Sequence, residues 1–172
     1  MALIVRPAVP SDLPAITDIA NALIETATVE WTETLHTLAD RQVWLEHHQE
    51  AGEPVLVAID DEMVVGWAAY GDFRDSTRWP GYRFTVEHSV HVAESHSGRG
   101  VGRSLMSALI ADAQASGKRV MVAAIDADNP GSIDFHARLG FVEVGRMPGV
   151  GDKWGQRLSL VLMQYDLTHP PD

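Results

Sequence analysis

The sequence predicts a mixed α/β domain built around one central sheet. A strand hairpin in the first half of the chain is followed by a strand–helix–strand–helix order in the second half, which is typical of this fold class. The length of 172 residues suits one domain that buries roughly 70% of its unfolded surface. Hydrophobic residues make up 45% of the chain and charged residues 22%, as in ordinary soluble globular proteins.

The first half of the chain is predicted to form a strand, two helices and a hairpin. Residues 2–6 form the strand, and Ser11-Asp12 begins a helix that runs through Ile24. Pro14 is tolerated in the first turn of that helix because its missing N–H has no intrahelical acceptor there. After a polar link, residues 37–49 are predicted to form the second helix.

The hairpin and the long strand that follows it come next. Residues 54–59 and 63–70 are apolar strands joined by the acidic turn 60–62. Residues 72–82 are rich in Asp, Ser, Pro and Gly and are predicted to form a long loop. The segment 83–92 then reads as another strand.

Three alternating glycines, Gly98, Gly100 and Gly102, connect this strand to a helix-like segment at residues 105–111. Glycines in a loop that opens a helix let the backbone N–H groups approach a phosphate closely. The dinucleotide fingerprint is not matched, since its third glycine position holds Arg103, and the Walker pattern is absent. The loop therefore predicts a site for a different phosphorylated ligand.

A second motif follows an apolar segment at 120–125, which is predicted to be a buried parallel strand. Asn129 is a favourable N-cap, Pro130 suits the first helical position and Gly140 suits the helix end. Three polar side chains share one face of this short helix: Asn129, Ser132 and His136.

The last part of the chain is predicted to form two strands, at residues 141–147 and 158–167, joined by a loop at 148–155. One domain is expected over residues 1–168. The tail at 169–172 is expected to fray.

Both motifs resemble those of the GCN5-related N-acetyltransferases. Residues 97–104 are similar to the [QR]-x-x-G-x-[GA] loop that holds the pyrophosphate of acetyl-CoA in that family, although Ser97 stands where the family usually has Gln or Arg. Residues 129–141 match N-x-x-S-x-x-x-[YH]-x-x-x-G-F, with His136 at the variable position. Segments 71–74 and 85–90 narrow the resemblance to the phosphinothricin and methionine sulfone N-acetyltransferase group.

This resemblance covers nearly the whole chain and implies the fold, the co-substrate and the acceptor. The expected fold is a single domain with a central mixed, mostly antiparallel sheet flanked by helices. The expected co-substrate is acetyl-CoA, and the expected acceptor is the α-amino nitrogen of a small amino acid whose side chain ends in a tetrahedral polar head. Members of this group are usually homodimers, so a homodimer is expected here.

The resemblance also implies which residues contact acetyl-CoA. The Val90 N–H is the candidate for polarising the thioester carbonyl, as an oxyanion hole does. The candidate residues for binding acetyl-CoA are Val90, His91, Val92, Gly98, Arg99, Gly100, Val101, Gly102, Arg103, Ser104, Asn129 and Ser132.

Glu87 and His136 are the candidate catalytic residues. Strict alternation along 83–92 places Glu87 on a polar face with Thr85, Ser89 and His91, and such a row on a central strand is not explained by packing. An ammonium acceptor must lose a proton before it can attack, and Glu87 is the best candidate base, directly or through a water. His136 could protonate the leaving thiolate or relay a proton, but a histidine satisfied by a helix neighbour is the alternative.

Two arginines flank the long loop, Arg74 and Arg83, and their guanidinium groups suit the carboxylate and the polar head of an anionic acceptor. Alternation places His88 on the apolar face, which is typical of a core histidine unless a bulge changes its direction. The candidate residues for binding the acceptor are Trp31, Phe73, Arg74, Arg83, Glu87, His88 and Ser89.

Composition excludes several other functions. A net charge of −11 argues against nucleic-acid binding, and no apolar run approaches the ~20 residues of a membrane span. The absence of cysteine excludes disulfides, a cysteine nucleophile and thiolate metal sites. No His, Asp or Glu cluster has metal-ligand spacing, so no metal is expected. The start of the chain lacks signal-peptide features, and a cytoplasmic location is expected.

Alternatives to the amino-acid acceptor remain open. The acceptor could be a protein N-terminus or a polyamine, which the acidic composition favours, whereas the two loop arginines favour an anionic acceptor. The chain could also be a CoA-binding regulator without turnover.

Overall fold

The computed structural model describes residues 3–169. Of the tail that the sequence predicts to fray, residues 170–172 lie outside this part of the chain. Across residues 3–169, the strands are β1 (Ile4–Pro7), β2 (Val55–Asp60), β3 (Met63–Asp72), β4 (Thr85–Val92), β5 (Val120–Asp126), β6 (Val142–Lys153) and β7 (Gln156–Asp166). The helices of this part are α1 (Leu13–Thr26), α2 (Leu38–Ala51), α3 (Val101–Ala115) and α4 (Pro130–Leu139).

The seven strands of the described chain form one sheet in the order β1-β2-β3-β4-β5-β7-β6. The pairs β1–β2, β2–β3, β5–β7 and β6–β7 are antiparallel, whereas β4 and β5 are parallel. The prediction of a mixed, mostly antiparallel sheet is confirmed, as is the prediction that residues 120–125 form a parallel strand. None of the helices within residues 3–169 is long and apolar enough to cross a bilayer.

Two compact units make up the chain, and the boundary between them falls inside β4, between Glu87 and His88. The first unit contains the chain up to Ala22, Leu35–Gly71 and His88–Asp112. The second contains Leu23–Thr34, Asp72–Glu87 and the chain from Ala113 onwards.

The core of the first unit packs α1 and α2 against β2 and β3. Its buried apolar side chains include Leu13, Ile16, Ala20, Leu45, Val57 and Trp67. Helix α2 begins at a capping box between Thr37 and Asp40 and ends at Gly52, whose φ of +68° favours glycine. The turn between β2 and β3 places Asp61 and Glu62 at positive φ, as a tight hairpin requires.

The first helix starts next to Ser11-Asp12 as predicted, but the prediction that these residues cap it is wrong. Residues Pro10–Asp12 form a separate 3₁₀ turn, and α1 begins at Leu13. Asp12 does not cap α1, since its carboxylate accepts hydrogen bonds from the Val9 N–H at 2.8 Å and from the Arg6 guanidinium at 2.7 and 2.8 Å. The buried Asp12 therefore ties β1 to the turn.

In the second unit, β6 is longer than the sequence predicts, because the segment 148–155 is mostly strand rather than loop. The register between β6 and β7 shifts between Met147 and Gly151, where Gly149 has a φ of +61°. Trp154 and Gly155, both at positive φ, make the actual turn. The Pro-Gly sequence that predicts a turn instead forms an irregularity inside a long strand.

Candidate active site

The glycine loop joins directly onto helix α3, as predicted. Gly98 and Gly100 have φ values of +74° and +85°, in the left-handed region that favours glycine. Helix α3 starts at Val101, and the Ser104 N–H donates to the Gly100 carbonyl at 3.0 Å to close its first turn. The first N–H groups of a helix have no intrahelical acceptor and lie at the positive end of the helix dipole.

The surroundings of this loop fit an anionic pyrophosphate. A Cβ added at Gly98 or Gly100 would meet no protein atom within 4 Å, so the space beside the backbone is open. Arg99 and Arg103 are exposed, whereas Val101 is buried and anchors the first turn of α3. The loop therefore combines an accessible backbone with positive charge in an acidic protein.

Strand β4 departs from strict alternation. Val86 and His88 are buried, Ser89 is exposed, and the next buried side chain is His91 rather than Val90. The His91 ring stacks on Trp67, with centroids 4.4 Å apart and planes 15° from parallel. The prediction that His91 belongs to an open row of polar side chains is therefore wrong, because packing on Trp67 accounts for its burial.

Strands β3 and β4 also approach each other closely where the alternation of buried and exposed side chains along β4 changes. A Cβ at Gly66 would lie 2.9 Å from the His91 carbonyl oxygen and 3.2 Å from side-chain atoms of Val101 and Leu105. Glycine at position 66 thus allows the backbone of β4 and the start of α3 to pack against β3. The His88 imidazole is 8% exposed, in agreement with the prediction of a core histidine.

Glu87 lies on β4 opposite Val122 of β5 and is half-buried. Burial raises the pKa of its carboxyl group, because the ionised form loses hydration. A carboxylate with a raised pKa is a stronger base than an exposed one, as a group that must accept a proton from an ammonium requires.

Helix α4 is capped as the sequence predicts. The Asn129 side-chain oxygen accepts from the Ser132 N–H at 3.0 Å, and Gly140 ends the helix at a φ of +101°. His136 is buried, with its ring 5.2 Å from that of Phe141. Its Nδ1 lies 2.7 Å from the Ser132 carbonyl oxygen, and a carbonyl only accepts, so Nδ1 carries a proton.

Burial lowers the pKa of His136, with the Ser132 carbonyl acting in the opposite direction. The imidazole is therefore neutral at pH 7, with its second nitrogen, Nε2, in the form that accepts a proton. The alternative considered from the sequence, a histidine satisfied by a helix neighbour, agrees with this geometry. A role as acid requires the imidazolium form, which burial disfavours.

The two arginines of the long loop have different surroundings. The exposed Arg74 guanidinium lies over the rings of Phe73 and Tyr82, 5.9 and 5.5 Å from their centroids. Arg83 stacks on Phe84 at 4.3 Å and donates to the Pro80 carbonyl at 2.8 Å. Within residues 3–169, the Arg74 guanidinium thus contacts two aromatic rings, whereas that of Arg83 is engaged by a carbonyl.

The structure brings Phe73 and Arg74 together with Tyr82, which the sequence analysis did not single out. The sequence contains a signal for it, since Tyr82 is an aromatic residue in the same predicted loop, eight positions beyond Arg74. Trp31 is half-buried against β6, where a Cβ at Gly151 would overlap its ring.

The predicted site residues are divided between the two units. Those in the second unit are Trp31, Phe73, Arg74, Arg83, Glu87, Asn129, Ser132 and His136. The other predicted site residues, including the glycine loop, belong to the first.

Over residues 3–169, no three His, Asp or Glu side chains are grouped so that they could hold a metal ion.

Comparison with known proteins identifies the family. The model of the acetyltransferase (GNAT) family matches residues 16–141. A protein of Pseudomonas aeruginosa named L-methionine sulfoximine/L-methionine sulfone acetyltransferase is 45% identical over 97% of this chain and 96% of its own length. A phosphinothricin N-acetyltransferase of Alcaligenes faecalis is 36% identical over 95% of this chain and 82% of its own length.

A solved structure supports the same assignment. A putative acetyltransferase from Salmonella typhimurium, determined with its cofactor acetyl-CoA, has a TM-score of 0.93 and 40% identity, and the match covers 100% of this chain and 99% of that one. The open glycine loop at the start of α3 fits the pyrophosphate of such a co-substrate. The chain therefore belongs to the GNAT family of acetyltransferases, with acetyl-CoA as its co-substrate.

Proposed function

We propose that this protein acetylates the α-amino nitrogen of a small amino acid or analogue, of which methionine sulfone, methionine sulfoximine and phosphinothricin are the leading candidates. The observation that carries the proposal is the 45% identity, over nearly the full length of both chains, to a relative named for the first two of these compounds. The exposed Arg74 guanidinium supports an anionic acceptor.

We assign the base to Glu87. Its carboxylate accepts a proton from the acceptor's ammonium group, directly or through one water, and leaves a neutral amine. Acetyl-CoA supplies an acyl carbon bonded to sulfur, and transfer forms the C–N bond and breaks the C–S bond. The Val90 N–H is assigned to the thioester oxygen, where a backbone donor stabilises developing negative charge.

The other candidate residues are assigned to binding acetyl-CoA or to relaying a proton. The glycine loop, with Arg99 and Arg103, is assigned to the pyrophosphate, and the N-terminus of α4 with Asn129 and Ser132 to the rest of the co-substrate. Because burial lowers the pKa of His136, we assign it a relay role through Nε2 rather than that of an acid, with Nδ1–H held by the Ser132 carbonyl. The attacking nitrogen loses its second proton as the amide forms, and the released thiolate takes up a proton from water.

An acceptor screen tests the proposal. Thiol release from acetyl-CoA would be measured with methionine sulfone, phosphinothricin, ordinary amino acids, spermidine and a short peptide with a free N-terminus. We expect the first two to have the highest kcat/KM. A preference for spermidine or the peptide would support the alternative acceptors, and no thiol release with any compound would support a CoA-binding regulator.

Gly100→Val is expected to weaken acetyl-CoA binding. Valine at a φ of +85° is strained, and its side chain would occupy the open space beside the loop backbone. Because this side chain obstructs the approach of the pyrophosphate to the loop backbone, Kd measured by calorimetry should rise roughly tenfold or more, a loss of at least about 1.4 kcal/mol.

Gly117→Val is the matched control for this variant. Gly117 also has positive φ, at +71°, and open space around it, but it follows α3 at the other end of the helix. It should lose stability without losing acetyl-CoA affinity. Equal affinities for Gly100→Val and the wild type would place the pyrophosphate elsewhere.

We also propose that the protein is a cytoplasmic homodimer. Strand β6 is at one edge of the sheet and carries the exposed apolar side chains Val142, Val144, Met147 and Val150. An exposed apolar edge strand favours association. Sedimentation equilibrium would give the mass of a dimer, and a concentration-independent monomer would contradict this proposal.

A further inference from the structure

Lys153, the last residue of β6, is a buried lysine whose ammonium group is held by the backbone of a distant segment. It is only 1% exposed, and its Nζ donates to the carbonyl oxygens of Ile24 at 2.8 Å, Ala27 at 2.6 Å and Glu30 at 2.8 Å. An ammonium has three N–H donors, so these three bonds use all of them. The Trp154 ring lies 4.4 Å from the same nitrogen.

These carbonyls belong to the end of α1 and to the segment that follows it. Ile24 lies in the last turn of α1, where carbonyls lack intrahelical partners and the helix dipole is negative. Ala27 and Glu30 belong to the irregular segment 27–34. Lys153 thus caps α1 and holds the next few residues in one backbone conformation.

Further contacts tie the same segment to β5 and to the end of β6, all within the second unit. The Trp154 N–H donates to the Glu33 carboxylate at 2.8 Å, and the Thr28 hydroxyl bonds to the buried Asp126 at the end of β5. The Trp31 ring covers Gly151 so closely that no Cβ would fit there. Residues at the end of β6 therefore hold the chain on both sides of Trp31, at Glu30 and Glu33.

Burial of the Lys153 ammonium group is unfavourable in free energy, because the charge loses its hydration. Burial lowers the pKa of Lys153, while the carboxylates of Glu30 and Glu33 oppose that effect. Loss of hydration is offset only when every donor is bonded, as it is here. A leucine or methionine would fill the volume but would remove the three hydrogen bonds that Lys153 donates.

We infer that Lys153 is a positioning residue for the acceptor: by holding the carbonyls of Ile24, Ala27 and Glu30, it sets the place of Trp31. This inference rests on the proposed function and on the expectation from the sequence that Trp31 binds the acceptor. Lys153 itself contacts neither the acceptor nor acetyl-CoA, and acts through the backbone of segment 27–34.

Lys153→Met tests the inference, because it keeps the length of the side chain and removes the donors. The KM for methionine sulfone is expected to rise roughly tenfold, since a small misplacement of a binding group is costly, while the KM for acetyl-CoA changes by less than about twofold. Lys153→Arg keeps the charge but not the three-carbonyl geometry, and it should restore the KM only in part.

Leu45→Ala is the matched control for general destabilisation. Leu45 is buried in the core of the first unit, whereas segment 27–34 belongs to the second. This variant should lose stability with both KM values unchanged. If Lys153→Met does not fold, Gly151→Ala gives a second test, because the added methyl displaces Trp31 without altering Lys153.

Hydrogen exchange provides a readout that does not depend on activity. Amides of residues 27–34 should exchange faster in Lys153→Met or Gly151→Ala than in Leu45→Ala. Equal exchange in this segment, or an unchanged KM for methionine sulfone, would overturn the inference. If the wild type does not acetylate methionine sulfone, the proposed acceptor is wrong, and the exchange data still decide whether Lys153 positions the segment.

Discussion

Glu87→Gln is expected to lower kcat by roughly 10²–10⁴-fold while acetyl-CoA still binds. Glutamine keeps the shape of the side chain on β4 but cannot accept a proton from the acceptor's ammonium group. Steady-state thiol release with methionine sulfone gives kcat, and calorimetry with acetyl-CoA gives the affinity that should be retained.

The pH dependence provides an independent check. Burial raises the pKa of Glu87, and only the ionised form is a base. Activity should therefore fall as the pH drops through this raised pKa, at a higher pH than an exposed glutamate would give. The Glu87→Gln variant should lack this acid limb.

Glu143→Gln is the matched control for this substitution. Glu143 is an exposed strand carboxylate whose pKa is lowered by its hydrogen bonds with Arg146. Its replacement should leave kcat and the acid limb unchanged. Wild-type turnover of Glu87→Gln across pH 6–9 would exclude Glu87 as the base.

Arg74→Ala is expected to raise the KM for methionine sulfone or phosphinothricin by well over tenfold. The amine of the acceptor must be free to react, so binding energy has to come from the carboxylate and the polar head. Removing one partner of a charge pair that the bound acceptor covers costs on the order of 2–5 kcal/mol. The KM for acetyl-CoA should stay nearly constant in the same assay.

Arg78→Ala is the control in the same loop. Arg78 is exposed and lies over Trp79, 5.5 Å from its ring centroid, so it shares the charge and the aromatic contact of Arg74. It should leave both KM values unchanged. Arg83→Ala should act in the same direction as Arg74→Ala.

Spermidine, which has no carboxylate, should be a poor acceptor for the wild type. If the arginine variants kept their KM for the amino acids, or spermidine were the best acceptor, the amino-acid proposal would fail. The membership of the acetyltransferase family would stand.

Features that depend on neighbouring residues were predictable. Gly100 takes positive φ at the start of α3, and Asn129 and Gly140 cap α4, because each of these choices depends on a few adjacent backbone groups. The parallel strand β5 was predictable from its continuous apolar sequence. Glu87 could be singled out because a carboxylate on a predicted central strand is unusual.

Features that depend on distant residues were not predictable in this way. His91 is buried because Trp67 of another strand lies under its ring, and alternation along β4 carries no information about that. The Pro148-Gly149 pair predicts a turn, but pairing with β7 continues past it to Lys153. Ladder hydrogen bonds and side-chain burial outweighed the local preference of two residues.

The amino-acid sequence by itself determined the family, the glycine loop, the capped helix α4 and the identity of the candidate base. Tertiary structure alone decided the stacking of His91 on Trp67, the continuation of β6 past Gly149 and the backbone contacts of Lys153. The partners of Lys153 precede it by 123 to 129 residues, so no local pattern contains them. Short-range preferences act between adjacent backbone groups, whereas the burial of a charge depends on which distant carbonyls the fold brings to it.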